Sequence, residues 1–173
     1  MKQAMKGIII YKGKYGATRQ YAMWLSTALS IPASPAGEEI NKELIDADYI
    51  IMGSSIYIGK LQLRKWIRQH RNLLIDKKIF LFLVAGTPVS EKEKLQHYIN
   101  SNIEAEINAR CTYFFLPGKL EFKKLSFLDK MLMKIGSRLA KGRGENIAVT
   151  DYNNVEAVHL SPIITTINKL NGR

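Results

Sequence analysis

Four apolar runs, Gly7 to Tyr11, Tyr49 to Gly53, Lys78 to Gly86 and Thr112 to Leu116, constrain this chain more than any other feature. Each is rich in Ile, Val, Phe or Tyr and is followed by glycine or another turn former, the signature of a short buried strand. Between them, Thr18 to Leu29, Leu61 to Leu74 and Ser90 to Ile107 carry apolar residues at helical spacing. Strand and helix therefore alternate, which predicts an α/β fold with a parallel sheet covered on both faces. A fifth, weaker strand is expected near Ile31 to Ala36, where Pro32 and Pro35 remove ladder donors and confine it to an edge. Five short strands with alternating helices predict the smaller doubly wound arrangement, order 2-1-3-4-5, with its ligand at the carboxyl ends of the first and third strands. The last helix is expected to start near Asp151 to Asn154, with Ser161-Pro162 either opening a fresh helical start or kinking the one already running.

At 173 residues the chain suits one domain, 1–173, with one working core. No repeat or long linker divides it. The lone cysteine, Cys111, cannot pair internally, which points to a reducing compartment, and no Cys and His set has zinc-site spacing, so no metal is expected. The run Ile8 to Tyr11 is too short for an export signal, and the longest apolar run, Ile79 to Ala85, is far below the ~18 to 20 residues of a membrane-spanning helix. Lys plus Arg is 26 against 15 acidic residues, a net charge of +11, which attracts lipid headgroups, nucleic acid or a carboxylated substrate.

Three turns would share the carboxyl rim. The first, Lys12-Gly13-Lys14-Tyr15-Gly16-Ala17-Thr18-Arg19, has two glycines that let several amides point inward at a helix start, a seat for phosphate with Thr18 as the hydroxyl donor. It matches neither the Walker nor the dinucleotide glycine spacing. The second, Ser54-Ser55-Ile56-Tyr57-Ile58-Gly59, offers Tyr57 as a stacking face for a planar ring. The third, Ala85-Gly86-Thr87-Pro88, is small enough for close backbone approach. No general base is assigned: His70, His97 and His159 are far apart and read as surface or packing residues, Trp24 and Trp66 as core, and Cys111 as a small buried residue.

From Gly118 to Glu145 the alternation breaks. Eight basic residues (Lys119, Lys123, Lys124, Lys130, Lys134, Arg138, Lys141 and Arg143) face three acidic ones (Glu121, Asp129 and Glu145). Leu128, Met131, Leu132, Ile135 and Leu139 repeat at helical spacing, with Lys130, Lys134 and Arg138 on another side. Such a helix either lies in an anionic headgroup plane, with Lys130, Lys134, Arg138 and Lys141 as contacts, or packs its apolar stripe on the sheet and leaves the lysines solvated.

With these residues in view, the first turn with Gly16 and Thr18, followed by Gly53-Ser54-Ser55-Ile56-Tyr57-Ile58-Gly59, resembles the flavodoxin superfamily. Ile8 to Ala22, Gly53 to His70, the segment Leu128 to Lys134 and Thr150-Asp151-Tyr152 are similar to its menaquinone-dependent protoporphyrinogen dehydrogenase branch. The resemblance implies a flavodoxin-like fold with a basic helical insertion, 118–145, after or within strand five. It also implies FMN as cofactor, held by 12–18, 54–59 and 85–87. The chain departs from the family in its phosphate loop, which keeps one hydroxyl, Thr18, where several are usual. Each lost charge-assisted bond removes roughly 1.5 to 3 kcal/mol, which implies a looser grip.

Electron-shuttling flavodoxins are typically acidic, and this chain is the reverse. One positive charge about 10 Å from a flavin, at an effective dielectric of ~20, stabilises the reduced anion by roughly 1.7 kcal/mol, or about 70 mV for one electron. The expectation is an FMN-dependent oxidoreductase that takes electrons from a porphyrinogen-like substrate and passes them to a quinone. It would be cytoplasmic and peripheral on the inner face of the cell membrane. The alternatives are a soluble carrier or quinone reductase without porphyrin specificity, and a non-catalytic module whose flavin site has decayed. No nucleic acid partner is expected, because the basic residues cluster with an apolar stripe and not with a stacking platform.

Overall fold

The computed structural model describes residues 5–142, 144 and 150–172. Arg143 and Glu145 of the basic segment lie outside the described residues. The chain divides into two compact units, Met1–Gly118 with Val155–Arg173, and Lys119–Asn154.

The first unit carries β1 (Gly7–Lys12), α1 (Ala17–Leu29), β2 (Ala33–Pro35), α2 (Asn41–Asp46), β3 (Tyr49–Tyr57), β4 (Lys60–Leu61), α3 (Arg64–Gln69), α4 (Arg71–Leu74), β5 (Lys78–Ala85), α5 (Lys92–Asn102), α6 (Ala105–Asn108) and β6 (Cys111–Pro117). The main sheet has the order β2-β1-β3-β5-β6, all parallel, which is the expected doubly wound order once the short β4 is set aside. Its central strands bury both faces, and side-chain alternation sorts them. Ile8, Ile10, Ile50, Met52, Ile79, Leu81 and Leu83 enter one core with Leu63, Trp66 and Ile67 of the segment that includes α3. Ile9, Tyr11, Tyr49, Ile51, Phe80, Phe82 and Val84 enter the other with Ala17, Tyr21, Ala22 and Leu25 of α1. The edge strand β2 is only three residues long, preceded by Pro32 and ending on Pro35, in keeping with the missing donors.

Where helices were expected, tertiary pairing shortens them. Leu61 pairs with Ile56 in an antiparallel hairpin, and His70 separates α3 from α4, so Leu61 to Leu74 is not one helix. Ile103 and Glu104 are extended and divide Ser90 to Ile107 into α5 and α6. The last helix, α8 (Ser161–Leu170), begins at Ser161 with Pro162 in its first turn, where a missing N–H is harmless. The expected start near Asp151 fails because Tyr152 and Asn153 form a strand instead.

In the second unit, β7 (Lys119–Leu120) pairs antiparallel with β8 (Tyr152–Asn153), and Asp151 accepts a hydrogen bond from the Phe122 backbone N–H at 2.7 Å. The basic helix α7 spans Phe127–Gly142. Ser126 Oγ accepts from the Asp129 N–H at 3.2 Å, closing the first turn as a helix cap does.

Candidate functional site

Strands β1, β3 and β5 run parallel, with Lys12 beside Ser54 and Ser54 beside Leu83, so the turns that follow them leave the same end of the sheet.

The first turn curls because Gly16 takes φ +84°, a left-handed position at the start of α1 that glycine adopts without penalty. No acidic side chain lies in the first helical turn, and none of the described side chains caps it, an arrangement that suits an anion at its first amides. Gly13 is required by packing: a Cβ there would lie 2.4 Å from Thr18 Oγ1. Thr18 is 1% exposed and its hydroxyl has no hydrogen-bond partner among the described residues. Burying such a group costs roughly 1 to 3 kcal/mol, so Thr18 is a donor without an acceptor behind an anion-ready turn. The Tyr15 hydroxyl and Ser55 Oγ are likewise buried without a partner among the described residues. Three such hydroxyls along one edge fit a group that brings its own acceptors, a phosphate and a polar ring among them.

The second turn is a hairpin and not a loose loop. Strand β3 runs on to Tyr57, and Ile58 and Gly59 at φ +49° and +69° make a two-residue turn into β4. A β-branched residue at positive φ is strained by roughly 1 to 3 kcal/mol, and such strain persists only where the surroundings impose it. Asn102 of α5 imposes it, accepting from the Leu61 N–H at 3.2 Å and donating to the Gly59 carbonyl at 2.8 Å. Ser54 Oγ accepts from the Leu63 N–H and donates to the Ser55 carbonyl, both at 3.1 Å, so that hydroxyl holds the hairpin. Ile56 is paired in the ladder. The ring of Tyr57 has Lys14 Nζ 3.7 Å from its centroid, so the first two turns meet.

In the third turn Ala85 closes β5, its carbonyl accepting from the Gly118 N–H at 3.2 Å, while Gly86 is exposed and Thr87 half-buried. Of the remaining candidates, Trp66 is buried and Trp24 partly so. His70 stacks on Trp66 with ring centroids 4.2 Å apart, and His97 is exposed. Sequence reasoning missed Asn102, for which no local signal exists, and Glu39. The Glu39 carboxylate accepts from Trp66 Nε1 at 2.6 Å and lies 3.6 Å from His70 Nε2. Burial alone would raise its pKa, but the Trp66 bond, the Gly37 and Glu39 amides and the nearby His70 outweigh that and hold it below the usual range.

On α7 the apolar stripe is exposed: Leu128 63%, Ile135 45% and Leu139 64%. Lys134, Arg138 and Lys141 are exposed as well. Lys130 is half-buried, its Nζ 5.6 Å from the Phe122 ring centroid and donating to the Lys123 carbonyl at 3.4 Å.

Among solved structures the chain is similar to a WrbA-like flavodoxin from Agrobacterium tumefaciens, at 16% identity over 83% of this chain and 100% of that one, with a TM-score of 0.46. It is similar also to the Trp repressor binding protein of Bacillus subtilis, at 14% identity, 84% and 100% coverage and a TM-score of 0.47. A flavoprotein in complex with FMN from Lactobacillus acidophilus shows 12% identity, 66% and 93% coverage and a TM-score of 0.45. No curated protein matches the sequence significantly. The family model described as "Flavodoxin domain" matches residues 8–146, most of the chain, and the protein belongs to that family.

Proposed function

We propose that this flavodoxin-domain protein binds FMN and serves as an oxidoreductase, drawing electrons from a porphyrinogen-like substrate and delivering them to a membrane quinone. The observation that carries the flavin reading is the pair of buried, partnerless hydroxyls of Thr18 and Ser55 on one edge of the sheet. Thr18 and the amides of 13–18 would hold the phosphate. Ser55, Tyr57 and the backbone of 85–87 would border the ring, with Lys12 and Lys14 supplying positive charge. FMN, when bound, supplies reversible acceptance of electrons; the chain orients it and tunes it. Lys12 and Lys14 favour extra negative charge nearby, which shifts the protein toward accepting electrons.

The quinone and porphyrinogen steps rest on the resemblance of Gly53 to His70 and of the basic segment to the protoporphyrinogen dehydrogenase branch. The exposed stripe of α7 beside Lys134, Arg138 and Lys141 supports an anionic membrane surface as its partner, each cation contributing roughly 1 kcal/mol there. In this reading the protein works on the cytoplasmic face of the cell membrane. Among the described residues no helix is long and apolar enough to cross one.

A visible spectrum before and after FMN is added, followed by quinone reduction with and without protoporphyrinogen, tests this reading. Flavin absorbance with porphyrinogen-dependent quinone reduction supports it. Quinone reduction indifferent to porphyrinogen leaves a general carrier or reductase, and a protein that takes up no FMN is a binding module. Sedimentation with anionic vesicles should fall for Lys134→Gln/Arg138→Gln/Lys141→Gln; equal sedimentation would remove the membrane step.

A further inference from the structure

A groove of about 770 Å³ opens in the first unit between Lys12 of β1, Lys60, Leu61 and Gln62 at β4, and Arg64, Lys65, Arg68 and Gln69 of α3. Its origin lies in the helix. Trp66 and Ile67 point into the core, which turns the residues on either side of them, Arg64 with Lys65 and Arg68 with Gln69, toward the groove. Five of the eight lining residues are cationic and none is acidic. None of the five pairs with a described carboxylate, although cations elsewhere do: Lys42 with Asp46, Arg71 with Glu104 and Glu106, Lys124 with Glu121. Glu39, the carboxylate that touches α3, is turned to Trp66 Nε1. The groove borders the first turn at Lys12, but its other cations stand on β4 and α3, and α3 packs in one core of the sheet while the start of α1 packs in the other.

We propose that this groove is a second anion site, taking a small molecule with two or more phosphate or carboxylate groups. The cations arrive from three separate segments, and Arg64 and Arg68 stand one helical turn apart as forks for separate oxyanions. The volume lies in the range of small-ligand pockets. No aromatic side chain lines it, so it reads charge and not a ring. Apart from Lys12, none of its cations belongs to the flavin site proposed above, so the two sites can be tested separately.

Calorimetric titration with sodium tripolyphosphate and with citrate, on the protein as purified and after FMN addition, tests it. Saturable binding near one per chain is expected for at least one probe, and whichever binds tighter assigns phosphate or carboxylate as the preferred group. Arg64→Gln/Arg68→Gln should weaken that probe at least tenfold with the FMN dissociation constant unchanged within twofold, and with an unaltered Tm. Arg64→Lys/Arg68→Lys should fall between. Failure of both probes to bind, an unchanged affinity in the Gln variant, or displacement of the probe by FMN would each overturn the proposal. A protein that takes up no FMN but binds tripolyphosphate in an Arg64- and Arg68-dependent way would retain this site and lose the flavin.

Discussion

Lys14 Nζ sits 3.7 Å from the centroid of the Tyr57 ring, so a cation from the first turn lies on the aromatic face that the second turn would offer a flavin. The two turns are thereby tied, and a stacking ligand must displace the ammonium group.

A cation over an exposed ring is worth roughly 0.5 to 1 kcal/mol, a twofold to fivefold effect on a competing ligand. Lys14→Met should therefore bind riboflavin, which lacks the phosphate, about twofold to fivefold tighter. Tyr57→Ala should weaken riboflavin and FMN alike, by roughly tenfold. Flavin fluorescence quenching measures both. Equal riboflavin affinity in wild type and Lys14→Met would place the ring elsewhere.

Thr18 gives a prediction with opposite signs for stability and binding. Its buried hydroxyl has no acceptor among the described residues, so Thr18→Val should stabilise the flavin-free protein by about 1 kcal/mol in urea denaturation. The same change should weaken FMN at least tenfold, since a bond to a charged phosphate contributes roughly 1.5 to 3 kcal/mol. Gly13→Ala, whose Cβ would press on Thr18 Oγ1 at 2.4 Å, should instead lower stability and affinity together. An FMN affinity indifferent to Thr18→Val would remove this hydroxyl from the site.

The Glu39 carboxylate is 5% exposed and its pKa is held below the ordinary 4.5, so its charged form stabilises the fold. That contribution is fully present above the unfolded value and is lost as pH falls through the lower folded value. Glu39→Gln, which keeps an acceptor for Trp66 Nε1, should cost about 1 kcal/mol at pH 7 and progressively less below pH 4.5. Chemical denaturation at pH 7 and pH 3 checks this. A constant difference across that range would mean the charge contributes nothing.

Cys111 has a thiol pushed up to about 11 by burial, against which its contact with Tyr113 is a smaller opposing effect. At pH 8 roughly one molecule in a thousand then carries the thiolate, so a disulfide reagent should modify the native protein on the order of 100-fold more slowly than the denatured chain. Rapid native labelling would restore a redox role for this residue.

What the sequence determined by itself is the sheet. The runs around Ile8, Ile50 and Phe80 are apolar at every position, and a segment so constituted is buried on both faces, which parallel strands between helical layers achieve. Gly16 and Thr18 were legible in the same way, because a turn between a buried strand and a helix leaves few conformations to choose from. Only the tertiary structure decided that Leu61 leaves its helix for a hairpin, that Asn102 holds Ile58 in a left-handed turn, and that Lys14 lies on Tyr57. It also gathered Lys12 and Lys60 with Arg64 and Arg68 in one groove. Local pattern records which side chains avoid water, and that sets strands and helices. Which polar groups meet depends on how those elements close against each other, over separations in the chain that no local pattern spans.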